Sequence, residues 1–449
     1  MEFSLSQVAS ALGLSVSSEA RVTGWSIDSR TIAPGDLFFA LRGPNNDGNL
    51  YVEEVLRKGA VAAVANESSE KHNGPVLTVP DTLRALQDTA MWALGEWRGE
   101  VIGVTGSAGK TSSKDVIAAM LSVGIRTGKT IGNLNNHVGV PLSILRLPQD
   151  ARVAVLEMGM NHAGEIRDLC RIAKPRIGVV TNVGHAHIEA FESIEGIALA
   201  KRELIESLPP DGIAVLNADD PRVSRFREVH PGRTVTFGLN AGTDFRAEDL
   251  AFHADSATFT VRGIPFETPV LGRHSVLNIL AGIAVASLYG IQPAQLTEVV
   301  KTLKAPSMRG ERLVHEGVVI FNDCYNSNPD AARVMIDLLR DTHATRRIAV
   351  LGEMLELGRW SEALHREVGC YVARSGIDVL VGIRGEACHL VDAARQAGLA
   401  VNAAFFYPHA ATAGEKLREI ARPGDAMLFK GSRGVHVEEA LERFLNRPH

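Results

Sequence analysis

The sequence predicts an α/β protein of three domains: a small mixed N-terminal domain, a central domain with a mostly parallel sheet, and a C-terminal doubly wound domain. Three observations lead there. At 449 residues the chain is longer than a single hydrophobic core organises. Two long stretches alternate short, β-branched-rich apolar runs with helix-length segments, the rhythm of parallel sheets covered on both faces. The first of these stretches also carries a glycine-rich loop between a strand-like run and a helix-like one. There is no internal repeat and no low-complexity segment.

Residues 1–97 form the mixed domain. Trp25-Ser26-Ile27-Asp28-Ser29-Arg30 leads through a Pro34-Gly35 turn into a strand-like run at 36–41. A polar loop at 43–48, a helix-like stretch and an apolar strand at 60–65 follow. Residues 98–305 form the central domain, with strands expected at 101–105, 153–157, 177–181 and 213–217, extra antiparallel strands within 233–270 and two helices within 274–303. A break at Ala305-Pro306-Ser307 opens the third domain, 306–449. Strands there are expected at 318–322, 348–351, 379–383 and 426–429, alternating with helices in a Rossmann-like arrangement.

Hydrophobic residues make up 45% and charged residues 22% of the chain, ordinary values for a globular protein. A net charge of -5, a pI near 6.3 and no Lys/Arg block argue against nucleic-acid binding, yet leave room for a small phosphorylated substrate. The four cysteines, Cys170, Cys324, Cys370 and Cys388, have no CxxC spacing and are expected as buried, reduced thiols. The first ten residues lack a basic segment followed by an apolar one, and the most apolar run, 279–291, is too short to span a bilayer. A cytoplasmic monomer without membrane insertion is expected.

The strand Ile102-Gly103-Val104 runs into Thr105-Gly106-Ser107-Ala108-Gly109-Lys110-Thr111 and then a helical stretch. Glycines let the backbone curl so that its N–H groups converge on phosphate oxygens. The helix N-terminus adds favourable electrostatics, Lys110 reaches the outer phosphates and the Thr111 hydroxyl can hold Mg²⁺. The longer eight-residue phosphate loop would need glycine where Val104 stands, so the match is to the shorter form. ATP is the cofactor this predicts.

Glu157 closes the strand at 153–157, at the carboxyl end of a parallel sheet, where such sheets bind ligands. The next strand ends in Thr181-Asn182-Val183-Gly184-His185-Ala186-His187, and one of the two histidines is a candidate metal ligand. Lys201, in a helical stretch, is on spacing alone a charged position on a solvated face.

Together these segments resemble the Mur ligase superfamily of amide-forming enzymes, over nearly the whole chain. The short phosphate loop is matched by 105–111, and the second central-domain signature by Asn133-Leu134-Asn135-Asn136-His137-Val138-Gly139-Val140-Pro141-Leu142. Glu157 matches the family's strand-end glutamate and His187 its metal-binding histidine, while Lys201 falls where the family carries a carbamylated lysine. The adenine-binding segment is matched by Gly272-Arg273-His274-Ser275-Val276-Leu277-Asn278, and the third-domain motif by Asp323-Cys324-Tyr325-Asn326-Ser327-Asn328-Pro329.

Within the family, the run 325–329, Leu351-Gly352-Glu353-Met354-Leu355-Glu356-Leu357-Gly358 and Phe429-Lys430-Gly431-Ser432-Arg433-Gly434 resemble the branch that adds a D-alanyl-D-alanine dipeptide to a UDP-N-acetylmuramoyl tripeptide. The Asp-Asn-Pro-Arg run of the preceding ligase is not found here. The resemblance implies ATP and Mg²⁺ as cofactors and those two small molecules as substrates. It assigns the phosphates to 105–111 and adenosine to Asn278, Asp323 and Asn326. The nucleotide sugar and peptide fall to Ser29, Arg30, Asn135 and Asn136, and the acceptor to Glu353, Lys430 and Arg433. Metal ligation falls to Thr111, Glu157, His187 and a carbamylated Lys201. Arg312, placed just before the third domain's first strand, matches the arginine that meets the phosphates, with Arg309 as a competitor. Three other readings stay open: a phosphate-loop ATPase or kinase, a non-catalytic nucleotide-sugar binder, and a folylpolyglutamate synthase-like ligase.

Overall fold

The computed structural model describes residues 1–66 and 74–446, in which three larger sheets, parallel but for one pair in the third, follow one another along the chain. In the first, the strands Gly24–Ser26, Asp36–Phe39, Ala62–Asn66 and Val76–Val79 pair in that order and all in parallel. Its helix Thr82–Trp97, capped by the Asp81 carboxylate on Arg84 N, packs against the central-domain helix Gly139–Leu145. Arg146 ties the two domains further, donating from Nε and Nη2 to Trp25 O at 3.0 and 2.8 Å.

The central sheet has seven parallel strands in the order Phe245–Arg246, Arg233–Gly238, Ile213–Asn217, Ile177–Val180, Glu100–Thr105, Val153–Glu157 and Thr127–Lys129. Side chains of a strand alternate between faces, and here both faces are covered. Val153 and Val155 join Ile117, Met120 and Ile283 in one core, while Ala154 and Leu156 join Ile166, Leu169 and Leu204 in the other. That is why the strand sequences are apolar throughout rather than alternating. Antiparallel pairing was expected across 233–270. It holds only for Glu248–Phe252, Ala257–Val261 and Ile264–Thr268, because 233–238 extends the main sheet in parallel. The helices expected in 274–303 are Arg273–Leu288 and Thr297–Lys301.

The third sheet is ordered Glu311–His315, Val318–Asp323, Asp425–Lys430, Arg346–Gly352, Val379–Ile383 and Ala404–Tyr407, antiparallel only at its first pair. Arg312 therefore lies inside a strand, one that the short turn at Glu316-Gly317 folds back onto its neighbour. The last strand in the chain inserts between two earlier ones, so the carboxyl ends of 318–323, 425–430 and 346–352 adjoin. Cys170 and Cys324 are buried and Cys370 and Cys388 only partly so, all four as free thiols. Among the described residues no helix is long and apolar enough to cross a membrane.

Candidate active site

The strand Glu100–Thr105 ends in the loop 106–109, and the helix Lys110–Leu121 starts directly behind it. Gly109 is left-handed (φ 79), and a Cβ there would meet Asn278 Oδ1 at 2.9 Å, so glycine alone lets the loop turn so close to the helix bearing Asn278. The segment after the adjacent strand holds the curve. Ala108 N donates to Asn182 Oδ1 at 2.8 Å, Ser107 Oγ to Gly184 O at 2.9 Å and Thr181 Oγ1 to Ala108 O at 2.7 Å. The loop amides are thereby presented at a helix N-terminus, where phosphate is favoured.

Lys110 Nζ donates to Gly106 O at 2.8 Å. Burial pulls its pKa below the usual lysine value, with Arg309 acting the same way and the carboxylates of Glu157 and Glu356 opposing. Thr111 Oγ1 donates to Glu157 Oε2 and Asn135 Nδ2 to Glu157 Oε1, each at 2.8 Å. Glu157 is buried, and these neutral donors are its side-chain partners among the described residues. A buried carboxylate whose hydrogen-bond donors are all neutral, with Lys110 the cation near it, can take a further cation. Asn278 accepts from Ser113 Oγ at 2.9 Å on the helix that carries the loop.

Lys201, on the helix Ile194–Glu206, is 2% exposed, and no described residue accepts a hydrogen bond from its amine. Burial first and the charge of Lys110 second drive its pKa well down, towards the neutral amine. The sequence alone placed it on a solvated face. The helix instead turns this residue inwards among Ala200, Leu204 and Ile205.

A cavity of about 1050 Å³ joins the central and third domains. Lys110, Thr111, Asn135, Glu157, His187 and Asn278 line it from one side, and Asp323, Asn326 and Lys430 from the other. Lys430 is buried, with Nζ 2.5 Å from Asp323 Oδ2 and donating to Asn326 O at 2.9 Å. Arg309 lines the cavity with its guanidinium 3.7 Å from the Tyr325 ring centroid. Arg312, inside its strand, is not on that lining, and its buried Nε has no hydrogen-bond partner among the described residues.

Other predicted residues stand apart from the lining. Asn136 accepts from Val138 N and Gly139 N at 3.2 and 2.8 Å, ahead of the helix Gly139–Leu145. Glu353 accepts from Glu386 N at 3.2 Å, ahead of the helix Ala387–Gln396. Arg433 is exposed and pairs with Glu438 at 3.0 Å. Ser29 and Arg30 sit on the turn after Gly24–Ser26, and the Arg30 guanidinium on Asp28 holds that carboxyl down at about 2.

Three residues of the cleft region were given no role of their own in the sequence, although Glu356 and His274 lie inside matched motifs. Glu356 Oε2 lies 2.7 Å from His187 Nδ1, and Asp330 Oδ2 lies 2.8 Å from His185 Nδ1. Both acids reach across from the third domain, and in sequence they read as a turn acid and a first-turn helix acid. His274 lines the cavity with a buried Nδ1 that has no partner among the described residues, and burial depresses its pKa.

Models of known families match all three domains: the Mur ligase family catalytic domain at 21–125, the Mur ligase middle domain at 104–286 and the Mur ligase glutamate ligase domain at 308–433. A UDP-N-acetylmuramoyl-tripeptide–D-alanyl-D-alanine ligase of Bacillus subtilis is 35% identical over 95% of this chain and 94% of its own. The crystal structure of MurF from Acinetobacter baumannii superposes with a TM-score of 0.91 at 27% identity, covering 100% of this chain and 99% of that one. MurF of Thermotoga maritima, solved in complex with ADP, superposes at 0.83 with 30% identity over 94% and 97%. A phosphate loop and a third-domain acid facing one cleft, on an architecture shared end to end with these relatives, place the chain in the Mur ligase family.

Proposed function

We propose that this chain is an ATP-dependent ligase that joins D-alanyl-D-alanine to the terminal carboxylate of a UDP-N-acetylmuramoyl tripeptide, a step of peptidoglycan precursor synthesis. The observation that carries this reading is the single cleft in which the loop 105–111 faces Asp323, Asn326 and Lys430. The likeness to the Bacillus subtilis enzyme along 95% of the chain supports the choice of substrates.

The β- and γ-phosphates of ATP rest on the amides of 106–111, and Lys110 exchanges Gly106 O for a phosphate oxygen. Asn278 and Asp323 hold adenosine from opposite walls, with Asn326 beside them. A carboxylate oxygen of the tripeptide attacks the γ-phosphorus, the bond to the β-phosphate oxygen breaks, and ADP leaves. Catalysis of such a transfer is chiefly positioning and charge neutralisation. The dipeptide amine then attacks the acyl carbon. Phosphate departs with the bonding pair, and the amine's proton passes to solvent.

Thr111 and Glu157 suit Mg²⁺, since both are hard oxygen donors and no described cation is hydrogen-bonded to Glu157, Lys110 acting on it only through space. When bound there, Mg²⁺ neutralises charge on the phosphates. His187 and Lys201 complete the assignment, Lys201 as a carbamate. A buried amine without a hydrogen-bond partner reacts with CO₂ only as the neutral base, and the carbamate is an anionic oxygen ligand. Ser29 and Arg30 take the uridine end, and Asn135 and Asn136 the muramoyl peptide. Glu353, Lys430 and Arg433 form the acceptor side, where the loops 351–358 and 430–433 are stitched together by Leu355 N donating to Ser432 Oγ at 2.9 Å.

ADP release tests the reading, with the UDP-muramoyl tripeptide and D-alanyl-D-alanine each omitted in turn. Release should require both. D-Alanine or L-alanyl-L-alanine serving as well as the D,D-dipeptide would reject the acceptor.

A further inference from the structure

His187 and Glu356 face each other across the boundary of the central and third domains, and both adopt left-handed backbone, at φ 61 and φ 63. For residues with a Cβ this conformation is disfavoured, and such positions persist where the surroundings fix them. The surroundings here do so. Met354 N donates to His365 Nε2 and Leu355 N to Ser432 Oγ, each at 2.9 Å, which locks the turn carrying Glu356. Glu189 N then donates to Glu356 O at 3.1 Å, so backbone and carboxylate of Glu356 both engage the turn 187–189. A carboxylate accepts and does not donate, so His187 Nδ1 carries the hydrogen of their 2.7 Å contact, which makes Nε2 the nitrogen that bears the lone pair in the neutral ring.

We propose that Glu356 is a positioning residue for the cation site: delivered by the third domain, it holds His187 in the tautomer and orientation whose Nε2 can ligate a divalent cation. Metal-bound histidines are commonly set in this way by a carboxylate on the other ring nitrogen. Because Glu356 belongs to the third domain, domain docking and cation binding strengthen each other by the same factor. The inference rests on the assignment of His187 as a cation ligand. His185 with Asp330 is a second contact between the same two domains that leaves His187 untouched, and it serves as the control.

The test is Mn²⁺ binding to the full chain with a non-hydrolysable ATP analogue, read from the electron paramagnetic resonance of the free ion. Glu356→Ala should weaken binding about tenfold or more. Glu356→Gln, whose amide oxygen still accepts from Nδ1, should recover most of the loss, and Asp330→Asn, which touches docking alone, should lose far less than Glu356→Ala. Wild-type affinity in Glu356→Ala beside weakened binding in His187→Ala would overturn this inference and leave the ligand assignment standing. Wild-type affinity in His187→Ala would reject the assignment and this inference with it. Equal losses in Glu356→Ala and Asp330→Asn would also overturn it, since the effect would then be docking alone.

Discussion

Lys430 Nζ lies 2.5 Å from Asp323 Oδ2 because the two residues occupy paired positions at the carboxyl ends of adjacent parallel strands. Removing one partner of a buried pair strands the other charge. Lys430→Met should therefore cost about 3 kcal/mol of stability. Adding Asp323→Asn should restore most of that stability without restoring activity. Denaturant unfolding and ADP release measure the two.

Lys110→Ala should abolish ligation with the fold intact, since its side chain bonds only to its own loop. A variant keeping more than about a tenth of wild-type kcat, a loss under ~1.4 kcal/mol in barrier, would remove Lys110 from the mechanism.

Lys201→Ala should be inactive, and a short-chain carboxylic acid should partly restore activity by supplying the missing oxygen ligand. Mass spectrometry under CO₂ should show the carbamate on the wild type and not on the variant. Full activity in the substituted protein would sink the assignment.

Arg309 and Arg312 should separate by more than tenfold in kcat/KM on substitution by alanine, about 1.4 kcal/mol, with Arg309 the more damaging. Arg309 lines the cleft beside Lys110 and Arg312 does not. The opposite order would return the phosphate contact to Arg312.

His365 is buried as the neutral ring, accepting from Met354 N at Nε2 and donating from Nδ1 to Ser361 O. Burial holds its pKa below the ordinary histidine value. The unfolded chain then binds the proton first, so the stability His365 provides is present above about pH 6.5 and fades as pH falls below it. Melting temperatures from pH 8 to pH 5.5 should fall less steeply in His365→Gln than in the wild type.

What the sequence determined by itself lies in short contiguous spans. The strand, the glycine turn and the helix N-terminus of 100–121 make a phosphate site from neighbouring residues, and the strand ends at Glu157 and Asp323 point into crevices that parallel sheets form by rule. Partners across the chain were decided by tertiary structure alone. Insertion of 425–430 between 318–323 and 346–352 makes Lys430 the partner of Asp323, where sequence suggested only a neighbour for the acceptor. The meeting of two domains sets His187 against Glu356 and His185 against Asp330. Lys201 reads as solvated because a lysine's charge favours water, yet the packing around its helix removes that water. Periodicity encodes which face of an element is apolar, whereas these contacts depend on where separate elements end in space, which no local pattern specifies.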